Sequence, residues 1–124
     1  MGVETSFGIG ELARRTKRTV HAIRWYEAQG LIPNVERDAG GRRRYTQWHV
    51  EWLGFLDRLK TTAMPVREMK RYAALIRRGA LSDQEVLLSA HRGVVSARMN
   101  EITAALALID RKLAHYARLR QGRR

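Results

Sequence analysis

Four residues of the segment IGELARRT, Ile9, Leu12, Ala13 and Thr16, stand three and four apart, the spacing of one helix face. A second helix is predicted for TVHAIRWYEAQ, with Thr19 as its N-cap and Gly30 to close it. Val20, Ile23 and either Ala22 or Tyr26 face inward in that helix. His21, Arg24 and Trp25 are left on the outer side. Two short helices joined by about three residues, the second with a polar, cationic outer face, predict a helix-turn-helix.

The pattern then changes. In LIPNVERDAGGRRRY, Pro33 stops helix propagation, and Val35 to Arg37 can pair with Arg43 to Tyr45 as short strands around Asp38-Ala39-Gly40-Gly41. The paired glycines permit the positive φ that such a turn needs. Ser6-Phe7 is a further short strand. A hairpin directly after a helix-turn-helix is a wing, and arginines at its tip have no packing to satisfy but can reach phosphates. This accounts for the triplet Arg42, Arg43 and Arg44.

Helical spacing returns at Thr46, which caps a third helix to about Thr62. Trp48, Trp52, Phe55 and Leu59 form one stripe, widened by Val50, Leu53 and Leu56. A helix apolar over most of its circumference belongs between two layers. Pro65 suits the start of a fourth helix, which runs to about Arg78 with Val66, Met69, Tyr72, Ala73 and Ile76 inward and ends at Gly79. SDQE at 82–85 reads as a capping box that opens a fifth helix. Along it Leu88, Val95, Met99, Ile102, Leu106, Ile109, Leu113 and Tyr116 form a heptad seam, interrupted by Arg92. A helix over 82–117 is roughly 54 Å long, too long for the rest of this chain to cover. A second copy, antiparallel or parallel, is the expected cover. The expected fold is all-α with a small β-hairpin wing: a winged helix-turn-helix domain over 6–79, a coiled-coil dimerisation helix over 82–117, and a basic tail over 118–124.

Charge narrows the partners. The 124 residues carry 24 Lys and Arg against 12 Asp and Glu, a formal net charge of +12. Such a surplus favours a polyanion, nucleic acid or an acidic membrane. Residues 82–117 carry a seam and not a wide apolar face over a cationic one, which speaks against membrane. There is no cysteine, which excludes disulfides, thiolate metal sites and thiol nucleophiles. His49, His91 and His115 lack ligand spacing, so neither metal nor other cofactor is expected. No apolar run approaches a bilayer span, and residues 1–5 carry neither a periodic signal nor the order of a signal peptide. A cytoplasmic protein is expected, and nothing in the sequence suggests an enzyme.

The segments IGELARRT, AIRWYEAQGLIP, GGRRRYT and AMPVREMKRY, followed by a long helix ending ALALIDRKLAHY, together resemble the MerR family of bacterial transcription regulators. The resemblance covers about residues 6 to 117. It implies a winged helix-turn-helix, a homodimer held by an antiparallel coiled coil, and an operator inside an overlong promoter spacer that the dimer distorts for RNA polymerase. Carried over by position, His21 and Arg24 match base- and backbone-contacting residues of the recognition helix. Tyr26 matches an aromatic near the phosphates, Arg43 and Tyr45 match the wing, and Lys60 falls near a backbone contact. Where the family usually has Gly-Val in the turn, this chain has Lys17-Arg18, and Arg18 gains a phosphate contact on this reading. Arg42 replaces a usual tyrosine. Without cysteine, neither the thiol sensing nor the soft-metal sensing of the family is available.

The function expected is sequence-specific binding of an inverted-repeat operator on double-stranded DNA, with His21, Arg24 and Thr19 or Trp25 carrying sequence information and the remaining cations gripping phosphates. Two alternatives stand beside it: an excisionase-like architectural bender without sensing, and an RNA-binding protein. The sequence lacks an aromatic stacking sheet for the second. Should a small-molecule effector bind, the expected place is the junction of Trp52, Met64, Met69 and Tyr72 with the partner's Leu87, Leu88 and His91.

Overall fold

The computed structural model describes residues 5–123; the first four residues and Arg124 of the expected basic tail lie outside it. The chain divides into a unit that ends at Leu87 and a unit that begins at Leu88.

In the first unit the elements follow in the order α1 (Ile9–Thr16), α2 (Val20–Ala28), β1 (Glu36–Arg37), β2 (Arg43–Arg44), α3 (Gln47–Thr61) and α4 (Val66–Arg78). A fifth helix, α5, runs from Leu81 to Gly122. Helix α1 packs on both α2 and α3, and α3 packs on α4. Leu12 and Ala13 of α1, Ile23 of α2, and Trp52, Leu53, Leu56 and Leu59 of α3 are buried together with Met69, Tyr72, Ala73 and Leu75 of α4. Val66, expected inward, is exposed, and Leu75 takes up the buried stripe of α4 instead.

The wing is smaller than the sequence suggested. Glu36 pairs with Arg44 and Arg37 with Arg43, antiparallel. Tyr45, expected to extend β2, instead forms a bridge with Phe7, exchanging two backbone bonds of 2.8 Å. The expected strand at Ser6-Phe7 is therefore one residue, and it anchors the base of the wing.

Helix α3 is held at its start by an unplanned group. His49 is buried, and its Nδ1 accepts the Thr46 backbone N–H at 3.0 Å. Nδ1 is thus unprotonated, and Nε2–H donates to the Pro33 carbonyl at 3.0 Å. One imidazole joins the helix cap to the segment after α2.

Four helices end the same way. One residue past α1 and α4, and two past α2 and α3, the backbone has positive φ: Lys17, Gly79, Gly30 and Ala63 respectively. In each case the next amide reaches back to close the turn: Arg18 to Ala13, Leu31 to Tyr26, Met64 to Leu59, and Ala80 to Leu75. This is the Schellman closure, which glycine occupies without strain. Gly30 and Gly79 were legible as helix ends; Lys17 and Ala63 adopt the same conformation against their own Cβ atoms.

The expected capping box at 82–85 does not form. Gly79 turns the chain so tightly that α5 starts at Leu81, leaving Ser82 inside the helix. The Gln84 amide bonds the Ala80 carbonyl at 3.0 Å, and its side chain donates to Leu75 O at 3.2 Å.

In the second unit α5 continues to Gly122, so residues 118–122, expected as a tail, are helical. Met99, Ile102, Leu106, Ile109, Leu113 and Tyr116 are each more than half exposed, while Leu88 and Val95 are half-buried. No helix among the described residues is long and apolar enough to cross a membrane.

Lys17→Gly and Ala63→Gly should each stabilise the protein. Relief of the left-handed penalty, about 1–2 kcal/mol, exceeds the roughly 0.4–1 kcal/mol that glycine returns to the unfolded chain. Chemical denaturation should show a net gain of about 0.5–1 kcal/mol for each, and a loss at either position would contradict the geometry.

Candidate nucleic-acid interface

Helix α2 starts as the sequence requires: the Thr19 hydroxyl oxygen accepts the Ala22 amide at 3.0 Å. Only Ile23 of α2 is buried. His21, Arg24 and Trp25 are exposed on the outer face, Trp25 to 48 %. That exposure removes Trp25 from the core.

Arg24 does not stand alone. A cleft of about 710 Å³ lies between the start of α1, helix α2 and the wing, lined by Arg24, Arg37, Arg42, Arg43 and Arg44 with Gly8, Ile9, Ala28, Gly41, Glu27 and Tyr45. Five guanidinium groups thus meet one carboxylate. At its α1 end the first-turn amides lack intrahelical acceptors and add positive potential. Such a cleft has the charge and the room to hold phosphodiester oxygens.

Glu27 organises this cleft. Its carboxylate accepts the Tyr45 hydroxyl at 2.8 Å and pairs with Arg43. Burial holds the Tyr45 phenol far above its usual range, and the neighbouring Glu27 adds to the effect. Tyr45 is fully buried. It locks the wing to α2, so it does not face outward as its match to the wing of the family suggested.

The other wing arginines have distinct tasks. Arg44 is half-buried and donates to the Ser6 carbonyl at 2.8 Å and its hydroxyl at 3.2 Å. Arg37 donates to the Gly41 carbonyl at 2.6 Å, bracing the turn. Arg42 stands exposed at the tip. Asp38 shapes that tip: its carboxylate accepts the amides of Gly40 at 3.0 Å and Arg42 at 2.9 Å. These bonds, that from Arg42 foremost, hold the Asp38 carboxyl below the usual range.

Other expected contacts lie elsewhere. The Arg18 guanidinium turns inward onto α3, bonding the Leu53 carbonyl at 3.1 Å and pairing with Asp57, because these acceptors offer what a solvated turn cannot. Its assignment as a phosphate contact is corrected accordingly. Tyr26 is half-buried, edge-on to Trp25 with ring centroids 5.5 Å apart. Lys60 is exposed near the end of α3 and does not line the cleft.

The expected effector residues are core residues. Trp52 stacks on Tyr72 at 5.5 Å and donates its indole N–H to the Leu31 carbonyl at 2.7 Å. Met64, Met69 and Leu87 are buried as well. Within one chain these side chains leave little surface open, and Leu88 and His91 are half-buried on α5. Among the described residues no group of three or more His, Asp or Glu could hold a metal ion.

Sequence reasoning missed Glu27 and Asp38. An aspartate opening a glycine-containing turn is a recognisable Asx signal. A lone carboxylate in a cationic segment is a weaker one, meaningful only once the wing folds back on α2.

The depressed Asp38 pKa fixes a pH dependence. A carboxyl whose folded value lies below its unfolded one stabilises above the ordinary value of 3.8, and that contribution is lost as pH falls through the folded value. The amides of Gly40 and Arg42 should therefore shift together on acidification, with a midpoint below 3.8. A midpoint at or above that value, followed by NMR, would rule out the bonded turn.

Comparison with known proteins agrees with this geometry. Residues 7–75 match the family described as MerR HTH family regulatory protein. An HTH-type transcriptional regulator of Haemophilus influenzae is 30% identical over 113 residues, spanning 90% of this chain and 84% of its own. A ZntR homolog from the same organism is 32% identical over 96 residues, spanning 76% and 71%. Among solved structures, HiNmlR, a MerR family regulator lacking the sensor domain and bound to promoter DNA, superposes with a TM-score of 0.73 at 29% identity, covering 92% of each chain. A MerR family transcriptional regulator from Listeria monocytogenes gives 0.77 at 26% identity, covering 89% of this chain and 85% of its own. The helix-turn-helix, the wing and the sequence matched across both place this chain in the MerR family of HTH regulatory proteins.

Proposed function

We propose that this protein regulates transcription by binding promoter DNA as a homodimer, each subunit laying α2 in a major groove and its wing on flanking phosphates. The observation that carries the reading is the cleft where Arg24 of the recognition helix meets four wing arginines. A base-reading side chain and a phosphate-gripping surface lie side by side, as sequence-specific docking requires. The promoter-bound state of the similar HiNmlR supports regulation over a purely architectural role. It equally supports duplex DNA over RNA.

Dimerisation follows from α5. Its exposed seam of Met99, Ile102, Leu106, Ile109, Leu113 and Tyr116 is the pattern that a second helix covers. Two copies related by a two-fold axis read an inverted repeat. The operator lies within an overlong promoter spacer, and the dimer distorts that spacer so that RNA polymerase engages both promoter elements. Such work places the protein in the cytoplasm, and it needs no catalytic group, cofactor or metal.

Two substitutions separate reading from gripping. Arg24→Ala should weaken a duplex selected by the wild-type protein by about 1–3 kcal/mol and leave a scrambled duplex unaffected. Arg42→Ala should weaken both duplexes alike and reduce the salt dependence. With about four phosphates neutralised per protomer, the wild-type dimer should show a log-log salt slope of roughly −7; a slope near −2 on fluorescence anisotropy would end this reading.

Ile102→Glu should shift the protein to a monomer in sedimentation and abolish tight operator binding. A wild-type protein that sediments as a monomer at micromolar concentration would refute the dimer.

A further inference from the structure

The turn between α1 and α2 is Lys17-Arg18-Thr19, and its two cations behave oppositely. Lys17 is exposed in a left-handed conformation. The Arg18 side chain is only 13% exposed. Its guanidinium carbon lies 5.8 Å from the centre of the Tyr26 ring on α2, within cation–π range. Its Nη2 donates to the Leu53 carbonyl at 3.1 Å and pairs with the Asp57 carboxylate. Leu53 and Asp57 are four residues apart on α3, so both acceptors lie on one face. Both acceptors are met by this one terminal nitrogen, which stands a bond further from the backbone than the ammonium of a lysine.

This matters because α2 is weakly anchored. Of its nine residues only Ile23 is buried. A short helix with one buried residue depends on a few tethers for its rotation: Glu27 to the wing, and Arg18, which joins Tyr26 to α3. Rotation, in turn, decides whether His21, Arg24 and Trp25 meet base edges squarely, because base-edge hydrogen bonds are directional. Phosphate contacts tolerate small reorientations.

We propose that Arg18 is a positioning residue for DNA reading: by joining the turn, Tyr26 of α2 and Asp57 of α3, it sets the rotation of the recognition helix and thereby the protein's discrimination between sequences. The inference rests on the proposed DNA-binding function. It assigns Arg18 no contact with DNA.

The test uses full-length dimer and two duplexes, one selected by the wild-type protein from a randomised inverted-repeat pool and one scrambled. Asp57→Asn removes a negative charge from a DNA-binding protein. If charge alone matters, both duplexes bind more tightly, which would overturn the proposal. Positioning requires the opposite: the selected duplex should lose about tenfold, the scale of one misaligned bidentate base contact, while the scrambled duplex and the salt slope stay unchanged. Arg18→Gln and Arg18→Lys should behave alike, since lysine keeps the charge but its stem is a bond shorter and does not bring the ammonium to both acceptors. Rescue by Arg18→Lys, or an equal loss on both duplexes with the dimer's salt slope reduced by about 1.8, one contact per protomer, would identify a phosphate contact instead.

Should the wild-type protein select no duplex, the functional reading fails, and the tether is judged on the free protein. Amide exchange across α2 should quicken in Asp57→Asn and in Arg18→Gln. Exchange unchanged in both variants would overturn the positioning role whatever the protein binds.

Discussion

A hairpin of two-residue strands cannot hold its own shape in water, so the aim of the arginine-rich tip depends on what its base is bonded to. Here the base is held twice. Tyr45 exchanges backbone bonds with Phe7, and its buried hydroxyl donates to Glu27 on the recognition helix. Glu27 also binds Arg43, so one carboxylate fixes both strand and helix. Among lining groups whose other charges are all positive, its charge lowers the repulsion among five guanidiniums and leaves Arg24 and Arg42 facing outward for an outside anion. Wing and recognition helix therefore form one surface and not two independently mobile parts.

Much of this was legible from spacing alone. The helical periods of Leu12 and Ala13, of Ile23 and of Leu53 and Leu56 gave the buried faces directly, and Thr19 gave the start of α2. The glycine pair gave the hairpin. What spacing could not show was direction. Tyr45 and Arg18 each read as groups on the DNA side; both turn inward, because Glu27, Leu53 and Asp57 are distant in sequence and become acceptors only after folding. His49 was hidden likewise, since nothing local reveals that the Pro33 carbonyl waits for its ring.

The two failures at chain reversals share a cause. Ala63 and Lys17 close their helices in a conformation that composition reserves for glycine, and the capping signature at Ser82 was overridden by the abrupt turn at Gly79. Local preferences of about 1 kcal/mol yield where tertiary packing fixes the path of the chain. The same reasoning moves Trp52 and Tyr72 from a candidate ligand site to the core: an apolar surplus on α3 is matched by α4, whose Met69 and Tyr72 meet it.

The apolar ridge of α5 has a bearing on cellular dosage. Large side chains along more than two turns of that helix stay wet unless something covers them, and in the proposed assembly that cover arrives only by collision with a second molecule. Occupancy of a promoter would then vary more steeply than in proportion to the number of molecules per cell. A fall in chains per cell volume would thin out the dimers more steeply than the chains themselves.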